Sequence, residues 1–192
     1  MNQAHLDLLA SDDWRQVLQD MIVPYAFDAR SPADLGDDVL EVGPGPGLTT
    51  DLLSPQVAAF TAVELDPALA SALRERYADT PSVTVVEGDA TAMPFEEEQF
   101  SGAVSFTMLH HVPTPELQDA LFAEVRRVLR PGGLFIGSDS VASPELADLH
   151  VDDVYNPVDP AGLQDRLDSA GFVDVAVDWH DFGWRAHARR SD

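Results

Sequence analysis

The chain has no cysteine and no lysine. Without cysteine there is no disulfide, no thiolate nucleophile and no thiolate-held zinc or iron–sulfur centre. Positive charge rests on 11 arginines alone, set against 34 acidic residues for a formal net charge of −23. So acidic a balance offers no basic stripe for a phosphate backbone, and it predicts that nucleic acid is not a partner. The arginines cluster only at Arg126, Arg127 and Arg130 and at Arg185, Arg189 and Arg190. The first group falls in the last turns of an expected helix, where cations favour the dipole. No apolar run approaches the length of a membrane span, and the start, Met1-Asn2-Gln3-Ala4-His5-Leu6-Asp7, has neither the basic end nor the apolar centre of a signal peptide. The expectation is a cytoplasmic protein with no membrane partner. Six histidines are scattered without an H-E-x-x-H or comparable ligand spacing, so no metal centre is predicted.

What is present is organised around Val39-Leu40-Glu41-Val42-Gly43-Pro44-Gly45-Pro46-Gly47-Leu48. The first four residues suit a strand covered on both faces, and the glycines that follow make a turn whose inner wall carries no Cβ atoms. A flat ligand can lie against such backbone. The next helix offers free N–H groups at its start. A dinucleotide fingerprint, G-x-G-x-x-G, needs its third glycine at position 48, which is leucine here. Pro44 and Pro46 also remove two N–H donors that a pyrophosphate would use.

The run E-V-G-P-G-P-G resembles the first motif of the class I S-adenosylmethionine-dependent methyltransferases, (D/E)-x-G-x-G-x-G. Three further stretches resemble the same family in order: A-V-E-L-D-P at 62–67, G-D-A-T-A-M-P-F at 88–95 and L-R-P-G-G-L-F at 129–135. An L-H-H-V run at 109–112 matches a fifth habit of the family, lining the point where the methyl group leaves. In a doubly wound sheet, Glu64 stands where an acidic side chain at the end of the second strand can accept both ribose hydroxyls. The resemblance carries that role onto Glu64, adenine recognition onto Asp89 and Ala90, and cofactor contact onto Glu41, Gly43, Gly45, Gly47, Leu65 and Phe106. His110 and His111 are the candidate catalytic residues, one of them a general base. Ser101 departs from the family, which usually has aspartate there.

The resemblance implies an α/β fold: a doubly wound, Rossmann-like, seven-stranded sheet, mostly parallel with a reversed last strand and helices on both faces. One domain over 1–192 is expected, with 1–36 a helical cap and 37–192 the cofactor-binding core. Apolar spacing predicts a helix over 14–25, with Trp14, Val17, Leu18, Met21, Ile22 and Tyr25 on one stripe. Arg130-Pro131-Gly132-Gly133 is read as a helix stop before a strand at 134–136, and 139–158 as irregular. The function implied is methyl transfer from S-adenosylmethionine to a small-molecule acceptor. Two other readings stay open: a cofactor-binding protein without activity, and a nicotinamide-dependent oxidoreductase.

Overall fold

The computed structural model describes residues 2–192, apart from the side chains of Gln3 and Ala4. Helices are α1 Gln3–Leu9, α2 Asp12–Val17, α3 Val23–Phe27, α4 Leu48–Leu53, α5 Pro67–Arg76, α6 Pro115–Val128, α7 Pro144–Leu149 and α8 Leu163–Ser169. Strands are β1 Asp38–Val42, β2 Ala59–Glu64, β3 Val83–Glu87, β4 Phe100–Phe106, β5 Leu129–Ser140, β6 Phe172–His180 and β7 Gly183–Arg190. They form one seven-stranded sheet in the order β3-β2-β1-β4-β5-β7-β6. All neighbours pair parallel except β7, which runs antiparallel to both β5 and β6, as the resemblance implies.

Period-2 alternation along β1 builds the core on both faces of this sheet. Leu40 and Val42 join the apolar cluster that holds Leu121, Phe122, Val125 and Val128 of α6. Val39 points the other way, into the cluster of Phe27, Leu35, Leu53 and Phe60. Because β1 lies between β2 and β4, successive connections leave in opposite directions there. A crevice opens beyond the carboxyl ends of β1 and β4, the usual ligand position in such sheets.

Two local expectations change. The predicted helix over 14–25 is three pieces, with a π turn at Leu18–Ile22 between α2 and α3. A π turn admits one extra residue and shifts the helical phase, so Met21 is 65% exposed while Ala26 and Phe27 are buried. The Arg130–Gly133 stretch lies inside β5, where a register shift between Phe100 and Gly102 takes up the extra residues. An irregularity in pairing tolerates the proline and glycines that the sequence presents as a stop. Among the described residues no helix is long and apolar enough to cross a membrane.

Candidate functional site

The crevice is a cavity of about 490 Å³. Its floor is the glycine turn. Gly43 has φ +68°, and a Cβ there would meet Met108 Cγ at 2.2 Å, whereas at Gly45, φ +53°, a Cβ would meet nothing within 4 Å. Gly45 thus borders open space, and Gly43 supports Met108. At the end of β2, Glu64 Oε2 accepts the Gly45 N–H at 3.0 Å and Oε1 accepts the Asp66 N–H at 2.9 Å. Each oxygen keeps a further lone pair for a ligand hydroxyl. Burial holds the Glu64 carboxyl above its ordinary range, opposed by those backbone N–H groups. Leu65, 67% exposed, also lines the cavity.

The opposite wall comes from the loop after β3. Asp89 and half-buried Ala90 both line the cavity, and Asp89 Oδ1 accepts the Thr91 N–H at 2.8 Å and hydroxyl at 2.7 Å. That leaves Oδ2 without a protein partner among the described residues. Asp66 lines the same space while capping α5 through the Ala68 and Leu69 N–H groups. Phe106 closes the inner end. Leu9, Trp14 and Leu18, from the segment before β1, line the cavity together with Val112 and Leu117. Glu64, Asp66, Asp89 and Asp153 line the cavity, and among the described residues no arginine does. Such walls favour a ligand bearing positive charge and disfavour a pyrophosphate.

Three expected site residues stand elsewhere. Glu41 is buried behind the turn, hydrogen-bonded by the Thr50 hydroxyl, and burial pushes its carboxyl up to about 8. It lies on the far side of β1 from Leu40 and Val42, so alternation turns it away from the cavity. Gly47, φ +87°, serves packing: a Cβ there would meet Leu73 Cδ2 at 2.5 Å. His110 is buried outside the lining, its backbone N–H donating to Asp139 Oδ2 at 3.0 Å and its Nδ1–H to Oδ1 at 2.7 Å. Burial alone would lower the His110 pKa, but the Asp139 carboxylate overrides it and holds the group above its ordinary value.

Of the two candidate catalytic histidines, His111 alone lines the cavity. The chain at Leu109–His111 is a 3₁₀ turn, not extended strand, so side-chain alternation is not what separates the pair. Burial and the neighbouring imidazoles of His110, His5 and His150 lower the His111 pKa to about 3. At neutral pH that ring is a weak base, which weighs against the general-base role.

Sequence reasoning missed Thr107, Asp153, His5 and His150. Thr107 lines the cavity at φ +52°, an unusual conformation for a β-branched residue. His5 and His150 join His110 and His111 in one cluster, four of the six histidines brought together from three distant segments. The prediction of no metal centre rested on linear spacing, and no spacing rule covers positions 5, 110, 111 and 150.

Residues 40–137 match the model of a family described as a methyltransferase domain. Ribosomal RNA small subunit methyltransferase A of Parasynechococcus marenigrum is 37% identical over 118 residues, covering 59% of this chain and 38% of that protein. A chain from a complex between the Haloferax volcanii Trm112 methyltransferase activator and a methyltransferase superposes with TM-score 0.75 at 18% identity, over 97% of this chain and 98% of that one. Haemonchus contortus phosphoethanolamine N-methyltransferase 2, in complex with S-adenosyl-L-methionine, gives TM-score 0.75 at 14% identity, over 98% of this chain and 60% of that one. The chain spans about half or less of the length of the curated relatives it matches.

The exclusion of nucleic acid, and with it the assignment of small-molecule partners alone, does not stand. Four of the relatives are named as ribosomal RNA methyltransferases. Net charge summed over a chain says nothing about which acceptor a shared cofactor-binding core serves, because the core positions the methyl donor.

Proposed function

The chain belongs to the class I S-adenosylmethionine-dependent methyltransferases, and from that membership we propose that it binds S-adenosylmethionine in the crevice beyond β1 and β4 and transfers its methyl group by in-line displacement. One arrangement supports this reading above others: Glu64 is anchored to Gly45 beside open space, in a cavity lined by four carboxylates and, among the described residues, by no arginine. A ligand with an ammonium and a sulfonium suits those walls, and a pyrophosphate does not. In this reading Glu64 accepts the ribose hydroxyls, Asp89 Oδ2 and the Ala90 N–H meet the adenine edge, Leu65 covers the ring, and Gly43 and Gly45 flank the amino-acid end.

Bound there, the donor supplies an electrophilic methyl carbon, so the protein's own task is positioning and exclusion of water. Met108, Val112 and Phe106 bound the space toward β4, and Leu9, Trp14 and Leu18 line it as well. The apolar character of those side chains supports an acceptor with a compact apolar body, and small organic hydroxyl or amine compounds are the proposed class.

The test is transfer of label from S-adenosyl-[methyl-³H]-methionine, run with a panel of small hydroxyl and amine compounds and, separately, with small-subunit ribosomal RNA. Label in a low-mass product is the expected result. Label in RNA alone overturns the acceptor class while keeping methyl transfer. No label in either, together with no binding of the donor, overturns the whole reading.

A further inference from the structure

Four imidazoles meet at one point beside the cavity. One ring nitrogen from each of His5, His110, His111 and His150 lies within 4.8 Å of the others. Three of these side chains are buried and His111 is nearly so. Each retains a buried ring nitrogen without a hydrogen-bond partner: His5 Nδ1, His110 Nε2, His111 Nε2 and His150 Nε2. One such group is unusual in a folded protein, and four converging call for a shared partner.

The outer contacts have the form that metal-bound histidines show. His110 gives its Nδ1–H to Asp139 Oδ1 at 2.7 Å, and His150 gives its Nδ1–H to the Leu146 carbonyl at 2.6 Å. A ring whose Nδ1–H is held by a carboxylate or carbonyl has its Nε2 lone pair fixed and directed elsewhere, the arrangement that orients ligands around zinc. Negative charge lies close by: Asp139 is buried against His110, and Asp153 acts electrostatically on His5, His110 and His111. Two carboxylates near a divalent cation balance its charge. With their Nδ1–H groups held, His110 and His150 carry lone pairs at Nε2, and one cation would satisfy all four nitrogens at once.

We propose that His5, His110, His111 and His150 form a binding site for one divalent transition-metal cation of the zinc class. Four imidazole donors and no oxygen ligand exclude magnesium and calcium by ligand chemistry and suit tetrahedral zinc or cobalt(II). With all four positions taken by protein, the ion is a structural clamp and leaves no open position for substrate. It joins α1 through His5, the turn after β4 through His110 and His111, and the residue capping α7 through His150. Leu9, His111, Asp153 and Val154, in or beside those segments, line the cavity. The clamp therefore fixes the segment preceding β1 over the crevice.

The experiment uses the full chain purified without a histidine tag and stripped with a chelator, then titrated with zinc and, separately, with cobalt(II). One equivalent of zinc is expected by elemental analysis after gel filtration. A hundredfold excess over the dissociation constant should raise the melting temperature by about 5–10 °C. Cobalt should give the intense visible absorption of a tetrahedral centre. His5→Gln and His150→Gln should each weaken zinc binding at least tenfold. Circular dichroism and thermal unfolding of the same variants without metal report that the fold persists and keep this test separate from the proposed methyl transfer. Absence of stoichiometric zinc in folded wild-type protein, or zinc affinity unchanged in both variants, overturns the site.

Discussion

Glu64 Oε2 accepts the Gly45 N–H at 3.0 Å, tying the end of β2 to the glycine turn that follows β1. The bond fixes a carboxylate at the edge of the open space above Gly45, and both features that the proposed cofactor needs are thereby set by one contact. Glu64→Ala removes the ribose acceptor and loosens the turn together. Binding of S-adenosylmethionine should weaken by about 1.5–3 kcal/mol, or roughly tenfold to a hundredfold and somewhat beyond. Titration calorimetry giving an unchanged dissociation constant would show that Glu64 does not read the cofactor.

The last two glycines of the turn, Gly45 and Gly47, should respond differently from each other. Gly45→Val places a branched side chain in open space, so cofactor binding should be lost while stability falls modestly, by about 1–2 kcal/mol for the strain of a positive φ. Gly47→Val drives a side chain into Leu73 Cδ2 and should lower the melting temperature far more. Thermal unfolding measured beside cofactor titration separates the two. Equal destabilisation, with equal loss of binding, would contradict the assignment of one glycine to the ligand and the other to packing.

Glu41 should give the fold a pH dependence of its own. Its folded carboxyl is pushed up to about 8 from an ordinary value near 4.5, so the folded state holds a proton that the unfolded chain releases between those values. The proton-linked stability is fully present below about 4.5 and is lost as pH rises through about 8. Glu41→Gln, a neutral replacement of the same shape, should flatten this part of the profile. Melting temperatures of the two proteins compared from pH 5 to 8.5 should diverge in favour of the variant as pH rises. Parallel profiles would mean that Glu41 is ionised in the fold.

Much of this was legible from local pattern. The β1 strand, its glycine turn and the position of Glu64 follow from periodicity and spacing, and the place of Asp89 from the family resemblance. The motif alone could not say which of its residues face the ligand. Glu41 and Gly47 sit in the same run as Gly43 and Gly45 yet turn toward Thr50 and Leu73, because strand alternation and helix packing decide the direction. The π turn at Leu18–Ile22 was invisible for a similar reason, since an extra residue in a helical turn leaves no signature in apolar spacing. The histidine cluster is purely tertiary. His5 and His150 are brought to His110 and His111 by the packing of α1 and α7, and neither carries a local signal of that contact.

His111 borders the cavity from that cluster, and its replacement bears on whether the acceptor needs a base. With the general-base role disfavoured by a lowered pKa, His111→Gln should leave cofactor affinity within about threefold of wild type. Turnover with the true acceptor should fall by far less than the 10²–10⁴ expected for loss of a general base. A loss of that size, with affinity for the donor unchanged and no matching loss in His5→Gln, which removes a neighbouring member of the cluster without touching the cavity, would restore the base.

The central claim is the identity of the cofactor, and equilibrium calorimetry of the wild-type chain with S-adenosylmethionine and with NAD⁺ tests it most directly. One equivalent of S-adenosylmethionine should bind, weakened by Glu64→Ala, and NAD⁺ should show no measurable binding, because its pyrophosphate would meet carboxylates and, among the described residues, no arginine in the crevice. Stoichiometric NAD⁺ binding with no response to S-adenosylmethionine would contradict it.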